Sequence, residues 1–381
     1  MPGFLQALRL SRAPAVCFAG MGLVWGSFNA ALPDIKATLG VSDGEMGALL
    51  IWGSVAAIAM MSLAPRLGDP LGRAALPVFG LAMGGAAALM GNAASAPGFV
   101  LALMAMGAAT GALDVFMNAR LSAIETASGR SLMNLNHALY SLAFASAAVA
   151  TGAARSAGLG APVILGMVAL TVAALALTSW ERDGAIGGLT AARGAPRAAL
   201  GLLPVLGGGL ILAGLMTENA VEAWSALYVE RDLGGATGAG SLAPALMALT
   251  MGLGRLAGQS VSARVPDRTL LRVGLGVTML GIATVIAAPG QSWAYAGFVV
   301  LGLGVSVVVP TALSVIGRAS PDATRSRAIA RATVLGYLGY FVGPPLLGLI
   351  AEIAGLRGSF GVILVVLAGA LILAQALTRR G

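Results

Sequence analysis

The chain has 381 residues, of which 58% are hydrophobic, 10% are charged and 55 are glycine, with a formal net charge of +8 at pH 7. Soluble domains carry about a quarter charged residues, so this balance excludes an ordinary globular enzyme and points to a chain dissolved in lipid. One cysteine, Cys17, excludes an intramolecular disulfide, and one histidine, His137, excludes a histidine-rich metal site.

A helix needs about 20 apolar residues to cross a hydrocarbon core of roughly 30 Å. Twelve such spans are predicted, over 13–34, 47–66, 74–94, 97–121, 132–154, 160–180, 200–228, 239–263, 269–289, 293–316, 327–353 and 358–378. The predicted fold class is an all-α membrane protein. The short connections leave no room for a soluble catalytic domain, so no enzymatic activity, cofactor or resident metal is expected. A glycine-rich phosphate loop ending in Lys-Ser or Lys-Thr is absent, which argues against a nucleotide-driven machine.

The first span carries Trp25 and Asn29, and Cys17 reads there as a small apolar core residue. Its basic start followed by an apolar run has the look of a cleavable signal peptide, a reading that the internal repeat described below opposes. The fourth span holds Asp114, Asn118 and Arg120. Asp114 and Asn118 are four apart and share a helix face, whereas Arg120 lies close enough to the end to reach the interface. The fifth begins with Asn134, Asn136, His137 and Tyr140, and the seventh carries Glu218, Asn219, Glu222, Trp224 and Tyr228. Arg255 follows in the eighth. The eleventh contains Gly336, Gly339 and Gly343-Pro344-Pro345, which reads as a pivot between halves or as ordinary close helix packing.

Arginine sets the orientation, because positive residues near span ends are retained in the cytoplasm. Of the 23 basic residues only Lys36 is a lysine, and the arginines gather at alternate turns, from Arg9 and Arg12 to Arg379 and Arg380. Both termini are therefore expected in the cytoplasm. The positive charge spread over that face suits anionic lipid head groups and needs no nucleic acid to explain it. The arginine, alanine and glycine bias suits a GC-rich bacterial genome and hence an inner-membrane location.

The sequence also repeats. Asp69 in Pro65-Arg66-Leu67-Gly68-Asp69 and Asp267 in Ala263-Arg264-Val265-Pro266-Asp267 are 198 residues apart, and Gly98-Phe99-Val100 recurs 199 residues later as Gly297-Phe298-Val299. Asn29 and Asn219 match in depth. Two six-helix halves follow, 1–180 and 200–381, joined by a cytoplasmic linker, 181–199. Parallel six-helix repeats with a binding site near the bilayer midplane are a known plan for secondary transporters.

On these features the chain resembles the major facilitator superfamily over essentially its full length. Asp69, Gly72 and Arg73 fit that family's cytoplasmic motif between spans two and three, with Pro65, Pro70 and Ala74 as departures. The resemblance implies a gating role for Asp69 and Arg73, and Gly254-Arg255 with Gly258, Arg264, Asp267 and Arg268 looks like the matching end of the eighth span. The stretches around Asp114, Asn136 and Glu218 look like a smaller bacterial branch typified by the inner-membrane protein YbjJ. The resemblance further implies that spans one, four, seven and ten line a central cavity, with the acids of four and seven facing it.

Ionisable groups at bilayer depth are costly and are retained for function. Asp114, Glu222, Glu218 and His137 are therefore the proton-coupling candidates. The competing expectation locks each acid to Arg120, Arg255 or His137 as a packing or gating clamp. Asn29, Trp25, Asn118, Asn136, Tyr140, Asn219, Trp224 and Tyr228 are the substrate-binding candidates, a mixture of amides and flat aromatic surfaces suited to orienting a small polar molecule.

The functional expectation is a monomeric secondary transporter for a small polar, sugar-like solute, working by alternating access with protons as partner ions. The runner-up is a drug or metabolite efflux antiporter. The Gly-x-x-x-Gly-Pro pattern of drug antiporters is missing from the fifth span, and aromatic residues make up only 5% of the chain. A third reading, from another class, is a lipid-interacting or sensor protein that transports nothing.

Overall fold

The computed structural model describes residues 2–184, 200–262 and 264–378, without the side chains of 2–4, 69, 258–262, 322, 323 and 326. Most of the predicted linker, with Arg193 and Arg197, lies outside the described residues, as do Arg379 and Arg380 and the side chains of Asp69 and Gln259. Among the described residues all regular structure is helical, as lipid requires when each backbone polar group must be satisfied within its own segment.

The helices are α1 (Pro2–Leu10), α2 (Arg12–Leu39), α3 (Asp43–Leu71), α4 (Ala75–Gly91), α5 (Ala96–Ser128), α6 (Met133–Ser156), α7 (Ala161–Thr178), α8 (Leu203–Leu227), α9 (Leu242–Ser262), α10 (Asp267–Ala287), α11 (Gln291–Val305), α12 (Val308–Ala319) and α13 (Asp322–Thr378). A π-turn at Tyr228–Asp232 extends α8. Among the described residues ten helices are long and apolar enough to cross a membrane, α11 and α12 together counting as one; with α9 and the two parts of α13 counted separately, the helices are consistent with the twelve spans predicted. Gly355, at φ 69° and ψ 174°, divides α13. That positive φ is readily available only to glycine.

Two features depart from the predicted boundaries. The tenth span, predicted as continuous over 293–316, is broken between Val305 and Val308. Pro310 has no amide to donate to the carbonyl four residues back, at Ser306, and its ring crowds that carbonyl. The second is α1, whose nine residues are too short to cross a bilayer; no apolar run of spanning length announced it.

Local chemistry explains several helix ends. Ser42 and Glu45 form a reciprocal capping box at α3: the Ser42 amide donates to Glu45 Oε2 at 2.8 Å and the Glu45 amide donates to Ser42 Oγ at 3.2 Å. Ser95 caps α5 by accepting from the Gly98 amide at 3.3 Å. Glu125 accepts from the amides of Leu132 and Met133 and so caps α6 from the preceding helix.

The chain divides into two compact units. One comprises Met1–Val41, Leu49–Ala191 and Thr237–Ser241, the other Ser42–Ala48, Ala192–Ala236 and Leu242–Gly381. The division departs from a simple cut between predicted halves at 42–48 and 237–241, short segments at equivalent places in the repeat.

In the first unit α2 packs along α6 and α7, and α4 along α5 and α7. In the second, α8 packs along α13, and α10 along α11. Gly281 of α10 and Gly297 of α11 approach so closely that a Cβ on Gly297 would lie 2.9 Å from the Gly281 carbonyl oxygen, and one on Gly281 would lie 2.8 Å from that of Gly297. The glycines of the eleventh span serve the same end. Gly336, Gly339, Gly343 and Gly348 meet Ile211, Met216, Asn219 and Trp224 of α8 inside the second unit. These contacts pack α13 closely on α8.

The first unit also holds a buried ion pair. The Arg155 side chain is 1% exposed. It donates to Asp34 Oδ2 at 2.7 Å, to Asp34 Oδ1 at 2.5 Å and to the Ala30 carbonyl at 2.9 Å, joining α6 to α2. Such a bidentate pair is among the stronger charge-assisted contacts. Arg155→Ala leaves Asp34 and the Ala30 carbonyl without these donors, and a destabilisation of about 3 kcal/mol is expected. Melting curves in detergent check this: Arg155→Ala should fall well below the native chain, and the Asp34→Asn, Arg155→Met double variant should recover part of the loss.

Candidate functional site

In the first unit the intramembrane acid is Asp114 on α5. Asn118, one turn on, donates its amide to the Asp114 carbonyl at 2.8 Å and to Asp114 Oδ1 at 3.0 Å. Both residues are half-buried. Among the described residues no cation pairs with Asp114. The expected clamp partners have other contacts: Arg120 binds Glu181 Oε2 through Nε at 3.0 Å and through its terminal nitrogen at 2.9 Å, and His137 lies edge-on to Phe18 with ring centroids 4.8 Å apart.

The neutral candidates of this unit separate into two kinds. Asn29 is 4% exposed and has no hydrogen-bond partner among the described residues. Trp25, half-buried, packs edge-on to Phe28, and Tyr140 packs on Phe144. Asn136 by contrast is fully buried and donates to Ser11 Oγ at 3.2 Å and to the Leu132 carbonyl at 2.9 Å. It fastens α6 to the α1–α2 junction, as interhelical amides commonly do.

The second unit gathers its polar groups on α8. Glu218, Glu222 and Ser225 follow at intervals of four and three and so share a face. Glu218 is held by Arg255 of α9 at 3.4 Å, as one form of the clamp expectation had it. Glu222 is 6% exposed, with Glu218 and Arg255 as its charged neighbours, and its Oε1 is buried with no partner. Ser225 Oγ, Asn219 Oδ1 and Trp224 Nε1 are likewise buried and unpartnered. Tyr228, a substrate candidate, is otherwise engaged: its hydroxyl donates to the Val285 carbonyl at 2.9 Å and its ring stands edge-on to Phe360 at 5.2 Å.

Among solved structures, the chain superposes on a bacterial homolog of the human lysosomal transporter Spinster with a TM-score of 0.75 at 13% identity, covering 98% of this chain and 97% of that one. The nucleoside transporter NupG gives 0.74 at 13% identity over 97% and 98% of the two chains. These likenesses establish the fold alone. In sequence, the chain is 28% identical to the membrane protein MosC of Rhizobium meliloti over 88% of this chain and 82% of that protein. It is 28% identical to an uncharacterized MFS-type transporter of Yersinia pestis over 99% of this chain and 97% of the relative. The family model described as Major Facilitator Superfamily matches residues 206–380. By this match over its second half and by its relatives, the chain is similar to major facilitator superfamily proteins.

In keeping with that similarity, ten helices among the described residues are long and apolar enough to cross a membrane. The motif residue Arg73 places its guanidinium 5.0 Å from the centre of the Trp180 ring, a cation–π contact. Arg12 donates to the Thr178 and Trp180 carbonyls. With Arg120 on Glu181, three arginines from three parts of the first unit converge on residues 178–181, where the sixth span runs out. Sequence reasoning singled out Arg73 and Arg120 but missed Glu181 and Trp180, whose signal was their place between the last span of one half and the linker. It also missed Ser225, which only its spacing from Glu222 marks.

The Glu218–Arg255 contact yields a direct test. Arg255→Gln leaves Glu218 buried without its cation and should destabilise the protein by about 2 kcal/mol, seen as a lowered melting midpoint in detergent. Adding Glu218→Gln removes the stranded charge and should restore most of the loss. A double variant as unstable as Arg255→Gln alone would show that the pair contributes nothing.

Proposed function

We propose that this protein is a secondary active transporter for a small polar, sugar-like solute, working by alternating access in the bacterial inner membrane, with protons as the coupling ion. In this reading both termini are cytoplasmic, the two repeats are six-helix bundles and the working unit is a monomer. The observation that carries the proposal is the state of two carboxylates within membrane spans: among the described residues Asp114 has an amide as its partner and no cation, and Glu222 has a buried oxygen with no partner. A carboxylate locked in a permanent ion pair has no reason to exchange a proton. One without a dedicated cation is stabilised in apolar surroundings by taking a proton up, and gives it back when water or a cation arrives.

The neutral groups in the same units as these acids supply the means to orient a solute. Asn29 and Trp25 in the first unit, and Asn219, Trp224 and Ser225 in the second, offer amides, an indole and a hydroxyl, a mixture that suits polyhydroxylated molecules. The transporters that share the fold include a protein described as a D-xylose–proton symporter, with a TM-score of 0.70 at 12% identity. That description is in keeping with the reading, although the likeness itself speaks only to fold.

Purified protein in proteoliposomes tests the proposal. A labelled panel of sugars and nucleosides is offered with and without an imposed pH gradient, and solute accumulation is followed together with internal pH. Native protein should accumulate one class of solute only under the gradient. Asp114→Asn or Glu222→Gln should abolish gradient-driven accumulation while leaving downhill exchange measurable in at least one of the two. Gradient-driven accumulation that survives neutral substitution at Asp114, Glu218 and Glu222 together would remove these acids from coupling.

A further inference from the structure

Charge at the depth of α8 is sparse. The helix carries two carboxylates, Glu218 and Glu222, and α9 beside it carries one guanidinium, Arg255. Of the other helices packed on α8, α11 has no charged residue, and its Tyr295 lies near Glu230. The α13 helix has no charged residue between Arg331 and Glu352, where Tyr337 and Tyr340 lie ring against ring with centroids 6.0 Å apart. Arg318 of α12 is held by Asp267 and Ser314, and its neighbour Ile316 faces Gly207 near the start of α8. Past the other end of α8, Arg231 bridges Asp43 and Asp232, and Glu230 is about 12 Å along the helix from Glu222.

Glu218, Glu222 and Arg255 are therefore left to one another, and they lie within reach of one another. The two acids are one turn apart on the same face of α8. Arg255 meets Glu218 through Nη2 and Oε2 at 3.4 Å, and Glu218 and Arg255 are the charged neighbours of Glu222. One guanidinium leaves one carboxylate without a cation, and that carboxylate is Glu222, whose Oε1 is buried and unpartnered. The Glu218–Arg255 contact is single and longer than the roughly 2.7–2.9 Å of a tight charge-assisted bond, so its geometry does not commit the guanidinium to Glu218. The charge of Glu218 is what keeps it there. Without that charge the nearest negative group is Glu222, and an acid paired with Arg255 is held in its ionised form and stops exchanging protons.

We infer, building on the proton-coupled transport proposed above, that Glu218 is a positioning residue: its negative charge holds Arg255 off Glu222 and so keeps Glu222 as the one proton-exchanging acid of the second unit. This arrangement has a consequence that a purely structural Glu218 lacks. Removing Glu218 silences an acid that is itself untouched, and removing Arg255 as well gives that acid its proton back.

The test uses purified full-length protein in detergent at neutral pH and dicyclohexylcarbodiimide, which adds to protonated carboxyl groups in apolar surroundings. Modification of Glu222 is followed by mass spectrometry in the native chain, in Glu218→Gln and in the Glu218→Gln, Arg255→Gln double variant, each first shown to melt cooperatively. Glu222 of the native chain should be modified. Glu218→Gln should slow that modification about tenfold, an effect within reach of a hydrogen bond to a charged group, and the double variant should return it to the native rate.

Equal rates in the native chain and Glu218→Gln overturn the inference. So does a double variant markedly slower than the native chain, a result that decides even where Glu218→Gln fails to fold. A native Glu222 that the reagent never modifies also overturns it, because an acid neither protonated nor accessible exchanges nothing. Gradient-driven accumulation of the sugar and nucleoside panel in proteoliposomes separates this role from transport itself. The expected labelling pattern without accumulation by the native chain keeps the role of Glu218 and removes transport. Accumulation that Glu218→Gln leaves intact keeps transport and removes the role.

Discussion

Burial of charge in a chain surrounded by lipid governs what the other residues of this protein do. Water cannot solvate an ionised side chain at bilayer depth, so each such group needs a cation, a hydrogen-bond donor or a proton. Arg155 meets the requirement by taking both oxygens of Asp34 and a backbone carbonyl. Arg120 meets it with Glu181, and Glu218 with Arg255. The first and last of these pairs join helices of the same unit, α6 to α2 and α8 to α9, so the electrostatic requirement is also a constraint on packing. Asp114 and Glu222 fall short of it, and that shortfall separates them from the structural charges.

Packing of small residues supplies the second constraint. Lipid tails are as apolar as leucine, so burying apolar side chains gives these helices little reason to associate, and close backbone approach must do so instead. The paired glycines 281 and 297 bring α10 and α11 to backbone contact, and the row from Gly336 to Gly348 does the same for α13 on α8. The second of these surfaces bears on function. It fixes the α8 face that includes Asn219 and Trp224 against α13, while Glu218 turns toward α9 and Arg255. A helix held on one side by glycine contacts and on another by an ion pair presents Glu222 and Ser225 at a defined place without either of them taking part in the packing bonds.

Much of this was legible in the sequence because membrane solvent writes a strong pattern. Runs of about 20 apolar residues with arginines at alternate turns mark spans whatever their partners. The repeat that pairs Asp69 with Asp267 marked two halves from spacing alone. What stayed illegible depends on contacts between spans. Asn136 and Tyr228 looked like ligands of a solute because an amide and a phenol in lipid need a partner; only the packing of α6 and α8 shows that Ser11, Leu132 and Val285 supply it. Arg155 lies at a span end, where a basic group is ordinary and nothing in the sequence marks it. That it is buried and holds Asp34 depends on α2 and α6 running side by side. The break in the tenth span was written in Pro310, but its place within an apolar run hid it.

The same reasoning ranks the residues the sequence singled out. A polar side chain whose bonds are complete within its own unit has little left to offer a passing solute, and exchanging those bonds would cost the fold about as much as the new contact returns. Tyr228 and Arg120 are of this kind. Glu222, Ser225 and the carbonyl of Asn219 have bonds still to make while being shielded from bulk water. An unmade bond in such surroundings raises the energy of the empty state, so whatever completes it binds more tightly than it would at a surface. The polar groups of α8 are poised in that sense: Arg255 already fixes Glu218, and Glu222 is stabilised by whatever brings it a proton or a cation.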